Sequence, residues 1–474
     1  MRFEADMRTV KKAFPALLVA LCASLTAAAE FSPPRFFAGW EGGQIEEAFD
    51  AQNKRVDKEI INRASVWTLQ EARLAERARV NFGIGGAYFF VFPRNLGGNP
   101  YAHTKRSAFG LTEANGEFDI WKGSEDGNGL RLKTGIFGYK YNEDAKDLGE
   151  YMFRTWSYPL IIYTGGLDVV NSASSQLSGI AAMTKVGGLK NDLILNIQSD
   201  HVPVGALSLT DIVSYRIGMV TVGGGVMLDN FYHPDKRALT PKPSSAGDPL
   251  EGNRFYTIRY LTVKDNGDTV PTTAKMSHSK LNELKTANAL GPRDPEILDT
   301  GYYTFTGQKA MVRASVDLTS LLGGLSRGER SFGFYFEAAL LGFKNYPTFY
   351  EKALDRVVLM GGVNLPTFRL LDMLSVEVER CTYPYRQSTN DPNVVGNAVP
   401  NVLEPFYPVY QPIRSDDWKW SLFAQRRIGQ NFSIYAQVAN DHLRNSFIFG
   451  APASEGFLTQ ESHWYWVWKL GYAI

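Results

Sequence analysis

Cysteine is nearly missing from this chain: 474 residues hold only Cys22 and Cys381. If the N-terminal segment is removed, as argued below, one thiol remains, and neither an intrachain disulfide nor a cysteine metal site can be built. Histidine is equally sparse, with His103, His201, His233, His278, His442 and His463 at no metal-ligand spacing,. Beyond the N-terminus no uncharged apolar run reaches about 18 residues, which excludes a membrane-spanning helix. Neither charge dominates. The 50 basic and 49 acidic residues nearly cancel, and a nucleic-acid partner would need a basic footprint,. Metalloprotease and phosphate-loop patterns are absent,. Asp441 and His442 with nearby Ser446 form no convincing triad, because three polar residues are ordinary in one solvated loop,. No enzyme activity, no cofactor and no metal are expected.

The first 29 residues read as a secretory signal. Arg2, Arg8, Lys11 and Lys12 precede the apolar stretch AFPALLVALCASLTAAA, and Ala27, Ala28 and Ala29 supply a small-residue cleavage site before Glu30,. Leu21 before Cys22 argues against lipidation. Losing four basic and two acidic residues would take the net charge from +1 to −1. Residues 44–79 follow as a charged stretch without glycine or proline. Phe49, Val56, Ile60, Trp67, Leu74 and Ala78 recur there by sevens and fours, which predicts an amphipathic helix in the lumen or periplasm,.

What the chain has in quantity is glycine (44), aromatics (13%) and a period of two from Val80 onward. The end of the chain, HWYWVWKLGYAI, is the clearest case. Trp464, Trp466, Trp468, Leu470, Tyr472 and Ile474 share one parity, and smaller or polar residues, Lys469 among them, share the other,. VNFGIGGAYFFVFP, LRLKTGIFGYKY, KAMVRASVDL, SFGFYFEAALLGF, LSVEVE, WKWSLFAQRR and NFSIYAQVAN alternate likewise. Charges fill the second face, and aromatics such as Trp418, Trp420, Trp464 and Trp466 gather at strand ends, where interfacial girdles sit. Trp468 and Tyr472 extend that set.

Connections across the last seven strands alternate between short and long. RIGQ and TFRLL are short, whereas 381–416 and 441–462 are long. A soluble sandwich has no reason to alternate so, while a barrel with short turns at one end and long loops at the other does. On these residues the chain resembles outer-membrane porin-like β-barrel proteins of double-membraned, Gram-negative bacteria. The resemblance runs over roughly 80–474, although Ile474 replaces the terminal aromatic usual in that family. It implies an all-β fold: a closed antiparallel transmembrane barrel of about 16 strands (14–18), residues 80–474, preceded by the helix within 30–79. In the N-terminal half, QLSGIAAMTKV, NDLILNIQS, LTDIVSYRIG, MVTVGGGVMLDN and LIIYTGGLDVV are candidate strands. GEFDIWK and RFYTIRYLTV fit either short strands or loop.

Parity then assigns lumen-facing residues: Arg131, Lys133, Arg313, Glu337, Glu377, Glu379 and Gln425. Their mixed signs suit a water-filled pore without strong ion preference. After the LRLKTGIFGYKY strand, a charged segment carries Glu143, Asp144, Lys146, Asp147, Glu150 and Arg154. The resemblance implies an inward-folded constriction loop there. It also implies outer-membrane lipid around the barrel, assembly machinery that reads the C-terminal strand, small polar solutes as cargo, and a homo-oligomer as one assembly state. The leading expectation is a porin-like channel. The alternative is a closed barrel serving as surface anchor or adhesin through its long loops near 233–300 and 381–416.

Overall fold

The computed structural model describes residues 29–49, 55–91, 107–123, 127–153, 175–198, 204–239, 254–263, 267–287, 294–302, 304–325, 330–344, 353–381, 418–440 and 463–474. The expected signal segment, the LIIYTGGLDVV strand and the 381–416 and 441–462 loops lie wholly or almost wholly outside them.

A two-residue strand β1 (Glu30–Phe31) precedes the long strands β2 (Arg35–Phe49), β3 (Arg55–Ala75) and β4 (Ala78–Val91). Then come β5 (Ser107–Lys122), β6 (Gly129–Tyr139), β7 (Ser175–Val186), β8 (Leu189–Ile197), β9 (Leu207–Ile217) and β10 (Val220–Tyr232). A long connection holds β11 (Arg254–Val263), β12 (Thr269–Ser277), the helix α1 (His278–Thr286) and β13 (Glu296–Tyr302). The chain returns through β14 (Gly307–Asp317), β15 (Gly333–Leu340), β16 (Val357–Asn364), β17 (Met373–Cys381), β18 (Trp418–Ile428), β19 (Phe432–Asn440) and β20 (Trp464–Ala473). Each of β2–β10 and β14–β20 pairs antiparallel with its neighbour, and β20 closes onto β2 through Leu470↔Trp40 and Lys469↔Glu41. The result is a ring of sixteen strands with no open edge, the arrangement that satisfies every ladder hydrogen bond without water. Strand β1 only extends β3 beyond the ring, at Glu30↔Arg73.

The expected amphipathic helix is not there. Arg35–Phe49, Arg55–Ala75 and Ala78–Val91 are barrel strands, so the barrel begins at Arg35 rather than near residue 80. Seven is odd, and residues seven apart therefore lie on opposite faces of a strand. Ile60 is exposed on the outside while Trp67 is buried on the inside. The charges that suggested a solvated helix have two other sources. Arg63 faces inward, and Arg55–Glu59 and Glu71–Ala75 are the ends of a 21-residue strand. At about 3.3 Å per residue such a strand far exceeds a band roughly 25 Å tall, so both ends stand in water.

The same accounting settles the N-terminal half. Turns of two residues join β3 to β4, β7 to β8 and β9 to β10, all at the end where the chain terminates. Gly187 and Gly218 sit in two of them at φ +57° and +58°, a conformation that two-residue hairpin turns require and other residues resist,. GEFDIWK is the end of β5. RFYTIRYLTV is β11, which belongs to a separate three-stranded sheet with β12 and β13 at the loop end. That sheet packs Tyr256, Ile258 and Met276 with Leu281 of α1. No helix among the described residues is long and apolar enough to cross a membrane.

Parity sorts the barrel wall. On β20, Tyr465, Val467 and Lys469 are buried within, whereas Trp464 and Leu470 are exposed. Phe82, Tyr88, Phe90, Phe334, Phe336, Val312 and Trp418 are likewise exposed outside. An apolar outer belt with charge inside is stable only where the outer solvent is hydrocarbon.

Candidate functional site in the barrel lumen

The site begins where β6 ends. Residues 140–153 turn into the barrel and fold on themselves. Lys140 Nζ donates to the Ala145 carbonyl at 2.6 Å, and the Glu150 carboxylate accepts the backbone N–H groups of Tyr141 (3.3 Å) and Asn142. Gly149 (φ +84°) and Glu150 (φ +64°) make the reversal. Glycine suits the positive φ at 149, and a Cβ there would stand 2.5 Å from Met360 Cε on the wall,.

Carboxylates of the far wall hold this loop. Strands β15 to β17 lie six to eight places from β6 around the ring of sixteen. Glu377 accepts the backbone N–H groups of Lys146 (2.5 Å), Asp147 (2.9 Å) and Leu148 (2.7 Å), and also the Tyr335 hydroxyl (2.7 Å). Glu337 accepts the Tyr141 hydroxyl (2.6 Å), the Asn142 amide (2.8 Å) and the N–H groups of Glu150 and Tyr151 (3.2 and 3.1 Å). Glu379 accepts the Tyr151 hydroxyl at 2.7 Å. All three carboxylates are buried. Charge-assisted bonds of this kind are about twice as strong as neutral ones, and their number offsets the desolvation of each carboxylate. The loop's reach is long. Arg330, in the β14–β15 connection at the turn end, donates to Asp144 at 2.9 Å and lies 3.1 Å from Glu143.

Two expectations thus meet in one place. Glu337, Glu377 and Glu379 and the segment containing Glu143, Asp144, Lys146, Asp147 and Glu150 form a single structure. The wall carries the carboxylates and the loop meets them mainly through backbone N–H groups, while Asp144 and Glu143 face Arg330. Arg154 lies outside the described residues. Burial, and the Lys140 ammonium beside it, hold Lys146 down to about 8. The loop's apolar residues, Leu148, Tyr151 and Met152, join Phe137, Tyr139, Leu177, Ile194, Met311 and Met360 in one buried cluster. The lumen along β6–β10 and β14–β16 is therefore packed.

The remaining wall is polar. On β4–β6, Arg79 meets Glu117 at 2.6 Å, Arg131 meets Asp119 at 2.7 Å, and Lys133 meets Glu117 at 3.1 Å and Glu113 at 3.4 Å. Solvent reaches this ladder, with Arg131 41% and Arg79 32% exposed. Across the closure of the ring Glu41 lies between Arg63 (2.6 Å) and Lys469 (3.2 Å), all three buried, and Lys469 stands over the Trp67 ring. Gln425 donates to the Tyr435 hydroxyl at 3.3 Å. Arg313 shares the inward face of β14 with buried Met311 and Ser315, in register with Glu337. Outside, Trp418, Trp420, Trp464, Trp466, Trp468 and Tyr472 follow the outward parity of β18 and β20.

Glu41, Arg63, Arg79, Glu113, Glu117, Asp119, Arg330 and Lys469 were not singled out from sequence. Lys469 stood on the small face of the terminal strand, and that parity was its signal. Arg63 lost its signal to the helical reading, and Glu41 stood in the segment 30–79 that was kept outside the barrel. Among the described residues no group of three or more His, Cys, Asp or Glu is placed to hold a metal.

A closed sixteen-stranded ring, apolar outside, charged inside and crossed by an inward loop, defines the class: a porin-like transmembrane β-barrel. No family model and no curated sequence matches the chain. Solved structures similar to it include OprB of Pseudomonas putida at high pH, 9% identical over 95% of this chain and 95% of that one, with a TM-score of 0.43. OmpF of Salmonella typhi in complex with daunomycin is 9% identical over 94% and 98%, at 0.42. A triple mutant of Rhodopseudomonas blastica porin is 8% identical over 94% and 100%, at 0.39.

Proposed function

We propose that this protein is a non-enzymatic outer-membrane channel that passes small polar solutes passively or with weak selectivity. The observation that carries the reading is the solvated ladder of Arg79, Glu113, Glu117, Asp119, Arg131 and Lys133, facing a lumen whose other side is packed by an anchored loop. Alternating charges of both signs let ions and dipolar solutes exchange hydration for side-chain contacts without trapping either sign. On this reading the chain ends in the periplasm, the outward aromatics seat the barrel in lipid, and β20 is the strand read during assembly. Planar-bilayer recording of the purified barrel tests it. Discrete conductance steps with a cation-to-anion permeability ratio within a few-fold of unity are expected.

A second reading is a closed barrel acting as surface anchor or adhesin. It draws on the complete burial of inward Lys419, Lys469 and Glu41, and on the sheet β11–β13 standing apart from the barrel at the loop end. Silence in the bilayer from a barrel with intact heat-modifiable migration would decide for it.

A further inference from the structure

The turn between β16 and β17 is built against local preference. Phe368 (φ +47°) and Arg369 (φ +70°) are consecutive bulky residues in the left-handed region. Such a conformation persists only where the surroundings hold it, and here Arg426 of β18 does so. Its Nη1 donates to the Arg369 and Leu370 carbonyls at 2.5 Å each. Within the turn the Thr367 hydroxyl donates to the Leu371 carbonyl at 2.6 Å, and the Leu370 N–H to the Thr367 carbonyl at 2.9 Å. What this arrangement presents is apolar. Phe368 is 61% and Leu370 77% exposed, so the distorted backbone buries neither.

Arg426 takes the outward parity of β18, together with Trp418, Trp420, Leu422 and Ile428. It pairs in register with outward Ile434, which stands opposite outward Leu470. At about 3.3 Å per residue and a tilt near 40°, Arg426 lies roughly 20 Å from Trp418 along the membrane normal, so the two mark opposite margins of the apolar band. Among the described residues the outward face of β16–β20 holds no acidic side chain. Its only other charge is Arg380, over the Trp418 ring at the loop end. The turn's own acid, Asp372, accepts the Arg427 N–H. Arg369 has no side-chain partner among the described residues, and Nε and Nη2 of Arg426 have none either.

A guanidinium offers a phosphate two parallel N–H donors. Two arginines beside exposed apolar residues at the margin of the band match the phosphate and upper acyl chain of one lipid. We infer that the turn 365–372, with Arg426, binds the headgroup of an anionic phospholipid. Arg369 and Arg426 take the phosphate, and Phe368 and Leu370 enter the acyl margin. The inference rests on membrane embedding and is independent of whether the lumen conducts.

The test is native mass spectrometry of the folded full-length protein in detergent, titrated with phosphatidylglycerol and, separately, with zwitterionic phosphatidylcholine. Each arginine near an anionic group is worth about fivefold, so the parent should prefer phosphatidylglycerol by about 25-fold. Arg369→Gln should cut the preference to about fivefold, and Arg369→Gln with Arg426→Gln should bring it near unity. Arg380→Gln should leave it at the parent value, and heat-modifiable migration reports the folding of each variant. Depth is read separately. Leu370→Cys in a Cys22→Ser, Cys381→Ser background, carrying a fluorophore in phosphatidylglycerol vesicles, should be quenched by a headgroup-level spin label and shielded from aqueous iodide. In a barrel that enters vesicles, equal retention of both lipids, a preference unchanged by Arg369→Gln, or the same loss with Arg380→Gln would overturn the proposal and leave the channel reading standing. Quenching by iodide alone would assign the turn to a soluble partner and overturn it too.

Discussion

Glu377 gathers four donors, three of them consecutive backbone N–H groups, and no neutral side chain of its size can do the same. Glu377→Gln replaces charge-assisted bonds by weaker ones and presents an NH2 to donors. It should weaken loop docking by about 2–3 kcal/mol, on the scale of one charged hydrogen bond. Single-channel records should then show larger, noisier steps than the parent, and identical records would remove the anchoring role. Glu41 poses the opposite problem. Glu41→Leu leaves Arg63 and Lys469 buried with like charge, a change that costs about 3–5 kcal/mol. The folded band in a heat-modifiability series should disappear at a lower temperature, and Arg63→Leu in the same background should restore part of the loss. Lys146 supplies the pH dependence. Its folded-state value near 8 lies below the free-lysine value, so the ammonium is present at neutral pH and is lost as pH rises through about 8,. Cation preference should therefore increase between pH 7 and 9, and Lys146→Met should flatten that rise.

Among the elements, β20 carries the largest consequence. It pairs with β19 on one side and β2 on the other, so removing Trp464–Ile474 opens two ladders and exposes both edges,. The truncated chain should fail to give a heat-modifiable barrel in outer-membrane fractions, and normal assembly would show that β20 is dispensable. The loop 140–153 shows why the candidate site was legible only in parts. Acids at Glu337, Glu377 and Glu379 were readable by parity on their strands, and the charged segment was readable by composition. Their meeting spans 186 to 231 residues and needs the ring to close at the right diameter, which no local pattern encodes. The way the loop docks was illegible for another reason. Backbone N–H groups carry no sequence signature, so a loop that donates through its main chain looks like any other acidic loop.

For the whole molecule, the packed sector and the polar sector divide the lumen, and permeation would follow the polar one. Arg131→Glu and Lys133→Glu together replace two positive side chains by two negative ones beside Glu113, Glu117 and Asp119. The reversal potential in a salt gradient should shift toward cations, with folding retained because the wall there is solvated,. No shift would route solutes elsewhere.

The alternation within the strands, the direction of their faces and the end at which the chain stops were set by local sequence. A period of two needs only neighbouring residues, and loop lengths can be counted along the chain. The exception, residues 44–79, shows the limit of that reasoning. Charges facing a wet lumen and charges beyond the membrane band look alike in one dimension, and Ile60 and Trp67 satisfied a helical spacing while lying on opposite faces of β3. Tertiary structure alone decided two things. It decided that Arg35 opens the barrel, and that three wall carboxylates clasp a loop from across the lumen. Each depends on which strands become neighbours when the ring closes, and that closure is a property of the whole chain rather than of any segment.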